Sequence, residues 1–134
     1  MSKIDWELIE GILKKIRKAL RTIKQRFRYV PDADSFRTKR GKERLDGICM
    51  LLEAIGESFK QIDKISNKTF LSRYPEIDWT KIIGLRNIIA HNYFDINEMM
   101  VFNNCRNDLP LLLKTVNRMI KDLTPNSTPD YDNE

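Results

Sequence analysis

Ile4, Leu8, Ile9, Ile12, Leu13, Ile16, Leu20, Ile23 and Phe27 recur at intervals of mostly three and four residues along the start of the chain. That spacing lays one apolar stripe along an α-helix and does not fit the period-two alternation of a strand. Leu45, Ile48, Cys49, Leu52, Ile55, Phe59 and Ile62 repeat the pattern, so two long helices with one stripe each are predicted to pack antiparallel. Between them Pro31, Asp32, Asp34 and Ser35 favour a turn, where the first helix is expected to stop. No stretch sustains strand alternation, no glycine-rich loop follows a strand, and no internal repeat appears. The expectation is an all-α, up-and-down bundle of four to five helices.

The remaining elements follow from caps and breakers. Ser2 and Asp5 stand at capping-box spacing before the first helix. Ser66 to Pro75 is polar and broken by proline, with room for a short helix at most. Asp78 reads as the N-cap of a third helix, Trp79 to about His91. A fourth element is expected from Asp95, with Glu98 again at capping-box spacing. Pro110 cannot sit deep in that helix without a kink, which places a break near Asn107-Asp108 and a fifth helix from there to Leu123. With 134 residues the chain is expected to form one domain over residues 1–123, and the Pro/Asn/Asp-rich residues 124–134 a disordered tail.

Charge is uneven. Residues 1–44 hold 14 Lys/Arg against 6 Asp/Glu, a net of +8, while the remainder holds 10 against 13, a net of −3. A basic face is often only a solvated one, so this raises the odds of a nucleic-acid partner modestly. No apolar run reaches the roughly 18 residues of a membrane span, and Met1 to Asp5 lack a signal-peptide core. The expected location is the cytoplasm, away from membrane. Cys49 and Cys105 lie in helix-like apolar patterns without a CxxC, so both read as buried thiols with no disulfide.

The third helix concentrates the chemistry. At 100° per residue, Ile82, Leu85, Ile88 and Ile89 share one stripe, and Gly84, Asn87 and His91 fall on the side away from it. Arg86 lies about 140° from His91 but is long enough to swing toward the same surface, and Tyr93 falls almost in line with Arg86. From spacing alone the plainer reading is favoured, a helix-end histidine held by the macrodipole. Three features pull the other way. Gly84 allows another helix or a ligand to come close. Arg86 suits bidentate phosphate contact. His91, the only histidine, can transfer protons near neutral pH. One histidine without clustered Cys/His or Asp/Glu ligands gives a metal nothing to bind, and neither a cysteine-nucleophile signature nor a phosphate-binding loop is present, so no metal or cofactor is expected. Metal-free acid–base chemistry on a phosphodiester remains.

The run Ile82-Ile83-Gly84-Leu85-Arg86-Asn87-Ile88-Ile89-Ala90-His91-Asn92-Tyr93-Phe94 resembles the signature of the HepT-like HEPN ribonuclease family, in which Arg, a polar residue and His are followed by x-Tyr. Three further blocks resemble the same family: Glu53 to Glu57 its second long helix, Tyr74 to Trp79 its approach to the motif helix, and Asn107 to Leu111 the start of its last helix. The likeness covers roughly residues 40–122. It implies a dimeric helical toxin that cuts RNA without metal, paired with a minimal nucleotidyltransferase antitoxin able to attach AMP to the tyrosine, here Tyr93. Attack by RNA's own 2′-hydroxyl needs a base, an acid and positive charge beside the phosphate. A two-fold dimer would supply two copies of His91 for the proton transfers and two of Arg86 for the phosphate, with Asn87 orienting His91 or the phosphate. AMP on Tyr93 would block the cleft by bulk and charge. Two other readings stay open: a non-catalytic helical partner of a nucleotidyltransferase, and generic RNA binding by residues 1–44.

Overall fold

Asp5 turns the chain into its first helix, its side chain accepting a hydrogen bond from the Leu8 N–H at 3.0 Å. Asp5 is therefore the N-cap itself rather than the third residue of a Ser2 capping box, since a shorter helix start leaves its carboxylate facing the free N–H groups. The computed structural model describes residues 3–124, so the expected tail after Thr124 lies outside the described residues. Five α-helices run in order: α1 Trp6–Phe27, α2 Lys39–Ile65, α3 Trp79–His91, α4 Glu98–Asn103 and α5 Leu109–Leu123. Short 3-10 turns at Ala33–Arg37, Leu71–Arg73 and Tyr93–Asp95 and a π turn at Asn104–Asp108 join them. Among the described residues there is no strand, and the chain is an all-α bundle.

α1 and α2 form an antiparallel hairpin whose corner is very tight. Thr38 caps α2 by accepting from the Gly41 N–H at 3.0 Å, and a Cβ at Gly41 would sit 1.8 Å from the carbonyl oxygen of Ser35. Only glycine admits that approach. α2 then lies between α1 and α3, and α5 packs on α1. The stripes read from the sequence meet in the centre, where Ile9, Leu13, Leu52, Phe36, Phe59 and Phe70 are fully enclosed. Burial of such side chains, at roughly 1.5–3 kcal/mol each, is the main stabilising contribution.

Two expectations about the C-terminal half are corrected. The fourth helix is capped not by Asp95 but by Asn97, whose side chain accepts from the Met100 N–H at 3.0 Å, because residues 93–95 are taken up in a 3-10 turn. At Asn107-Asp108 the helix does not break. The Leu109 N–H reaches back five residues to the Asn104 carbonyl, and this wider turn carries the backbone past Pro110, which has no N–H and would crowd the carbonyl four residues before it.

Candidate active site

The placement of α3 begins at its N-terminus. Asp78 caps it, accepting from the Lys81 N–H at 3.1 Å as expected. Trp79 anchors the first turn: its indole N–H donates to the Tyr74 carbonyl at 3.0 Å, and its ring packs on Phe59 with centroids 4.8 Å apart. One turn on, α3 seats against Gly56 of α2. A Cβ there would stand 3.1 Å and 3.2 Å from the carbonyl oxygens of Ile82 and Ile83 and 3.4 Å from Cβ of Arg86. Ile82, Leu85 and Ile89 fill the core side. Ile88, assigned by the wheel to the same stripe, is instead 44% exposed, because the buried face is narrower than the apolar one.

With the backbone so fixed, the polar side chains form a short chain of contacts. Arg86 Nη1 donates to Asn87 Oδ1 at 3.1 Å, and Arg86 Nε stands 3.6 Å from a carboxylate oxygen of Glu57 on α2. His91 Nδ1 lies 2.8 Å from the backbone carbonyl of Asn87, one turn earlier. A carbonyl can only accept, so Nδ1 carries hydrogen, and the neutral ring is left with its lone pair on Nε2. Asn87 thus meets His91 as expected, though through its backbone carbonyl, while its side chain holds Arg86, a contact that the spacing did not suggest. The Arg86–Glu57 pair is about half exposed on both sides and contributes at most about 1 kcal/mol. What it does is aim the guanidinium, leaving most of its N–H donors facing outward.

The helix ends at His91. Asn92 leaves helical geometry at φ −119° and ψ 30°, its N–H bonds back to Ile89, and its side-chain amide donates to the Ile88 carbonyl at 2.7 Å. Tyr93 therefore starts a 3-10 turn and does not continue the wheel. It is 65% exposed and touches Phe94, itself 95% exposed, in an edge-to-face pair with centroids 5.4 Å apart. No hydrogen bond brings Tyr93 to Arg86 or His91 within one copy. Beside Arg86 and Asn87 a shallow groove of about 480 Å³ runs between α2 and α3, floored by Leu71, Trp79 and Ile83. His91 lies outside it. A Cβ at Gly84 would meet nothing within 4 Å, so this face is open, as its missing side chain suggested.

Glu57 is the charged neighbour of Arg86 that sequence reasoning did not single out; its position in the block Glu53 to Glu57 was the available signal. The two cysteines take no part. Both are buried free thiols, and burial, reinforced for Cys49 by Asp46 and Glu53 and for Cys105 by Cys49 and Asp108, pushes each up to about 12. Among the described residues no group of three or more His, Cys, Asp or Glu could hold a metal ion. No helix among them is long and apolar enough to cross a membrane.

Comparison with known proteins bears on this geometry. A family described as "Ribonuclease HepT-like" matches residues 9–119. "Putative RNase MJ1380" of Methanocaldococcus jannaschii is 35% identical over 65 residues, 48% of this chain and 56% of that protein. "Putative RNase MJ0127" of the same organism is 32% identical over 72 residues, 54% of this chain and 56% of that protein. "Putative RNase TTE0752" of Caldanaerobacter subterraneus subsp. tengcongensis is 29% identical over 70 residues, 52% of this chain and 59% of that protein. The chain thus spans a little over half the length of the curated relatives it matches. No solved structure matches significantly.

Proposed function

Because this chain belongs to the HepT-like ribonuclease family, we infer that it is a metal-independent endoribonuclease whose working unit is a two-fold dimer. The observation that carries the reading is the Arg86–Asn87–His91 chain at the exposed end of α3, with His91 Nδ1 engaged and Nε2 free. In the reaction, Nε2 of one His91 takes the proton of the RNA 2′-hydroxyl as its oxygen bonds to phosphorus. The 5′-oxygen leaves, and the second copy of His91, protonated, supplies its proton. Arg86 from each copy offers N–H donors to the phosphate oxygens as charge builds on them. One copy has one histidine, and in this reading a second copy supplies the other.

Ile88, Tyr93, Phe94 and Met99 leave large apolar surfaces in solvent around this end of α3. Apolar side chains gathered beside a polar site favour a covering partner, and a second copy is the partner that also completes the chemistry. The open face at Gly84 permits a close approach. In this reading the chain is the toxin of a pair whose antitoxin is a minimal nucleotidyltransferase. The hydroxyl of exposed Tyr93 makes no hydrogen bond among the described residues, so it is free to attack the α-phosphorus of ATP, lose its proton and release pyrophosphate. The AMP so attached would carry bulk and negative charge to the mouth of the cleft.

His91→Ala tests the reading. The ring is exposed, so melting temperature and dimer mass should hold while RNA cleavage falls by about 10²-fold or more and growth inhibition disappears. Cleavage at the wild-type rate by that variant would remove the mechanism. A purified chain that cuts no RNA at any ratio yet binds a nucleotidyltransferase stably would instead make it a non-catalytic partner.

A further inference from the structure

Residues 24–44 hold eight Lys/Arg against three Asp/Glu, a net of +5 that equals the formal charge of the whole chain. The fold gathers this stretch into the α1–α2 corner, made by the end of α1, the Ala33–Arg37 turn and the start of α2. At its centre stands Tyr29, 60% exposed, with the guanidinium carbons of Arg28 and Arg44 at 5.3 Å and 5.4 Å from its ring centroid. Neither arginine has a carboxylate partner among the described residues, whereas Arg37 on the same corner is paired with Asp34 and Glu98. Gly47 leaves room beside α2 for Arg26, whose Nη1 lies 3.0 Å from where a Cβ would be.

The corner and the candidate active site share one end of the bundle. α3 runs back along α2 from its seat at Gly56, and seven residues separate Gly84 from His91, about 10 Å of helix rise. That brings His91 level with the N-terminal half of α2, whose first turns carry Arg44. α4, which follows the Tyr93–Asp95 turn, packs on the Ala33–Arg37 turn, and Phe102 meets Phe27 at a tilt with centroids 5.2 Å apart.

We propose that the α1–α2 corner docks the strand of substrate RNA flanking the cut, with Arg28 and Arg44 on its phosphates and Tyr29 against a base. The inference rests on the ribonuclease reading. An exposed aromatic ring set among cations is the combination that single strands use, stacking for the bases and charge for the backbone. An acidic protein surface would answer the charge alone. The ring and the position toward the same end of the bundle as His91 fit a strand that continues to the reacting phosphate.

Binding of a short fluorescein-labelled single-stranded RNA, followed by anisotropy across a salt series, tests this in the His91→Ala chain, where the probe stays intact. Arg28→Gln with Arg44→Gln should weaken binding about tenfold. It should also make the log–log salt dependence shallower by about 1.4, two phosphate contacts at roughly 0.7 each. Tyr29→Leu should weaken binding with the salt slope unchanged. Lys15→Gln with Lys18→Gln removes as much charge from α1 outside the corner and should keep affinity within about twofold. Equal weakening by the two pairs, or unchanged affinity after Arg28→Gln with Arg44→Gln, overturns the docking surface; melting curves confirm that each variant is folded. The two readings fail separately, since RNA left uncut by the chain with His91 intact removes the ribonuclease and says nothing for or against the corner's affinity.

Discussion

His91 owes its candidate role to a neighbour's backbone. The Asn87 carbonyl, 2.8 Å from Nδ1, is the i−4 acceptor that helix geometry leaves in reach of a side chain near the C-terminus. Arg86 is held at both of its ends, by Asn87 Oδ1 and by Glu57, and a lysine ammonium could not meet both while offering a planar fork. Arg86→Lys is accordingly expected to lower kcat/KM for RNA at least tenfold, the order of one lost charge-assisted contact, with urea unfolding shifted by no more than about 0.5 kcal/mol. A variant cutting at wild-type efficiency would mean that charge alone suffices. Residue types made Arg86 and His91 legible in the sequence, and the helical turn between Asn87 and His91 made their contact legible. Which atoms of Asn87 do the holding was not, because a helical wheel places side chains and says nothing of a carbonyl. Glu57 was hidden for another reason: it reaches Arg86 across a helix–helix contact that no local spacing encodes.

Helix positions and caps were read well where a single side chain decides them. Asp78 and the span of α3 came out as expected, and so did the long stripes of α1 and α2. Two starts were misplaced: Asp5 rather than Ser2 caps α1, and Asn97 rather than Asp95 caps α4, because residues 93–95 are taken up in a 3-10 turn. Pro110 signalled a disturbance but not its form, since the missing N–H says that a bond is lost and not which wider or broken turn accommodates the loss. Two glycines of the α2–α3 pair separate packing from propensity. Gly56→Ala would press a methyl against the Ile82 and Ile83 carbonyls at 3.1 Å and 3.2 Å, backbone atoms that cannot yield without moving α3, and is expected to cost about 1–3 kcal/mol. Gly84→Ala meets nothing and should gain up to about 1 kcal/mol from helix propensity. Urea unfolding of the two variants in opposite directions supports the tight seat; a stabilised Gly56→Ala would show the helices to be loosely packed there.

The folded molecule as a whole resists alkali only up to a point. In the unfolded chain the Cys49 and Cys105 thiols ionise near the ordinary 9.0, while burial holds them protonated to about 12 in the fold. The folded state therefore binds the extra protons, and its advantage is complete below about pH 9 and drains as pH rises toward about 12, at roughly 1.4 kcal/mol per pH unit for each thiol. Burial and the 2.7 Å bond from its hydroxyl to Asp122 likewise raise Tyr74, adding to the loss at the alkaline end. Unfolding free energy measured at about pH 8 and about pH 10 should drop, and Cys49→Ala with Cys105→Ala should flatten the drop; equal slopes would mean that the thiols are hydrated in the fold. At neutral pH a different property governs encounters. Outside residues 24–44 the two signs cancel, sixteen against sixteen, so the surplus charge acts as the head of a compass needle. In the field of a polyanion such a body rotates before it collides and arrives head first, which shortens the orientational search that limits most associations. Electrolyte weakens the torque: at about 0.15 M the screening distance is about 8 Å, a fraction of the roughly 40 Å length of α2 alone, so the needle swings freely only in dilute salt.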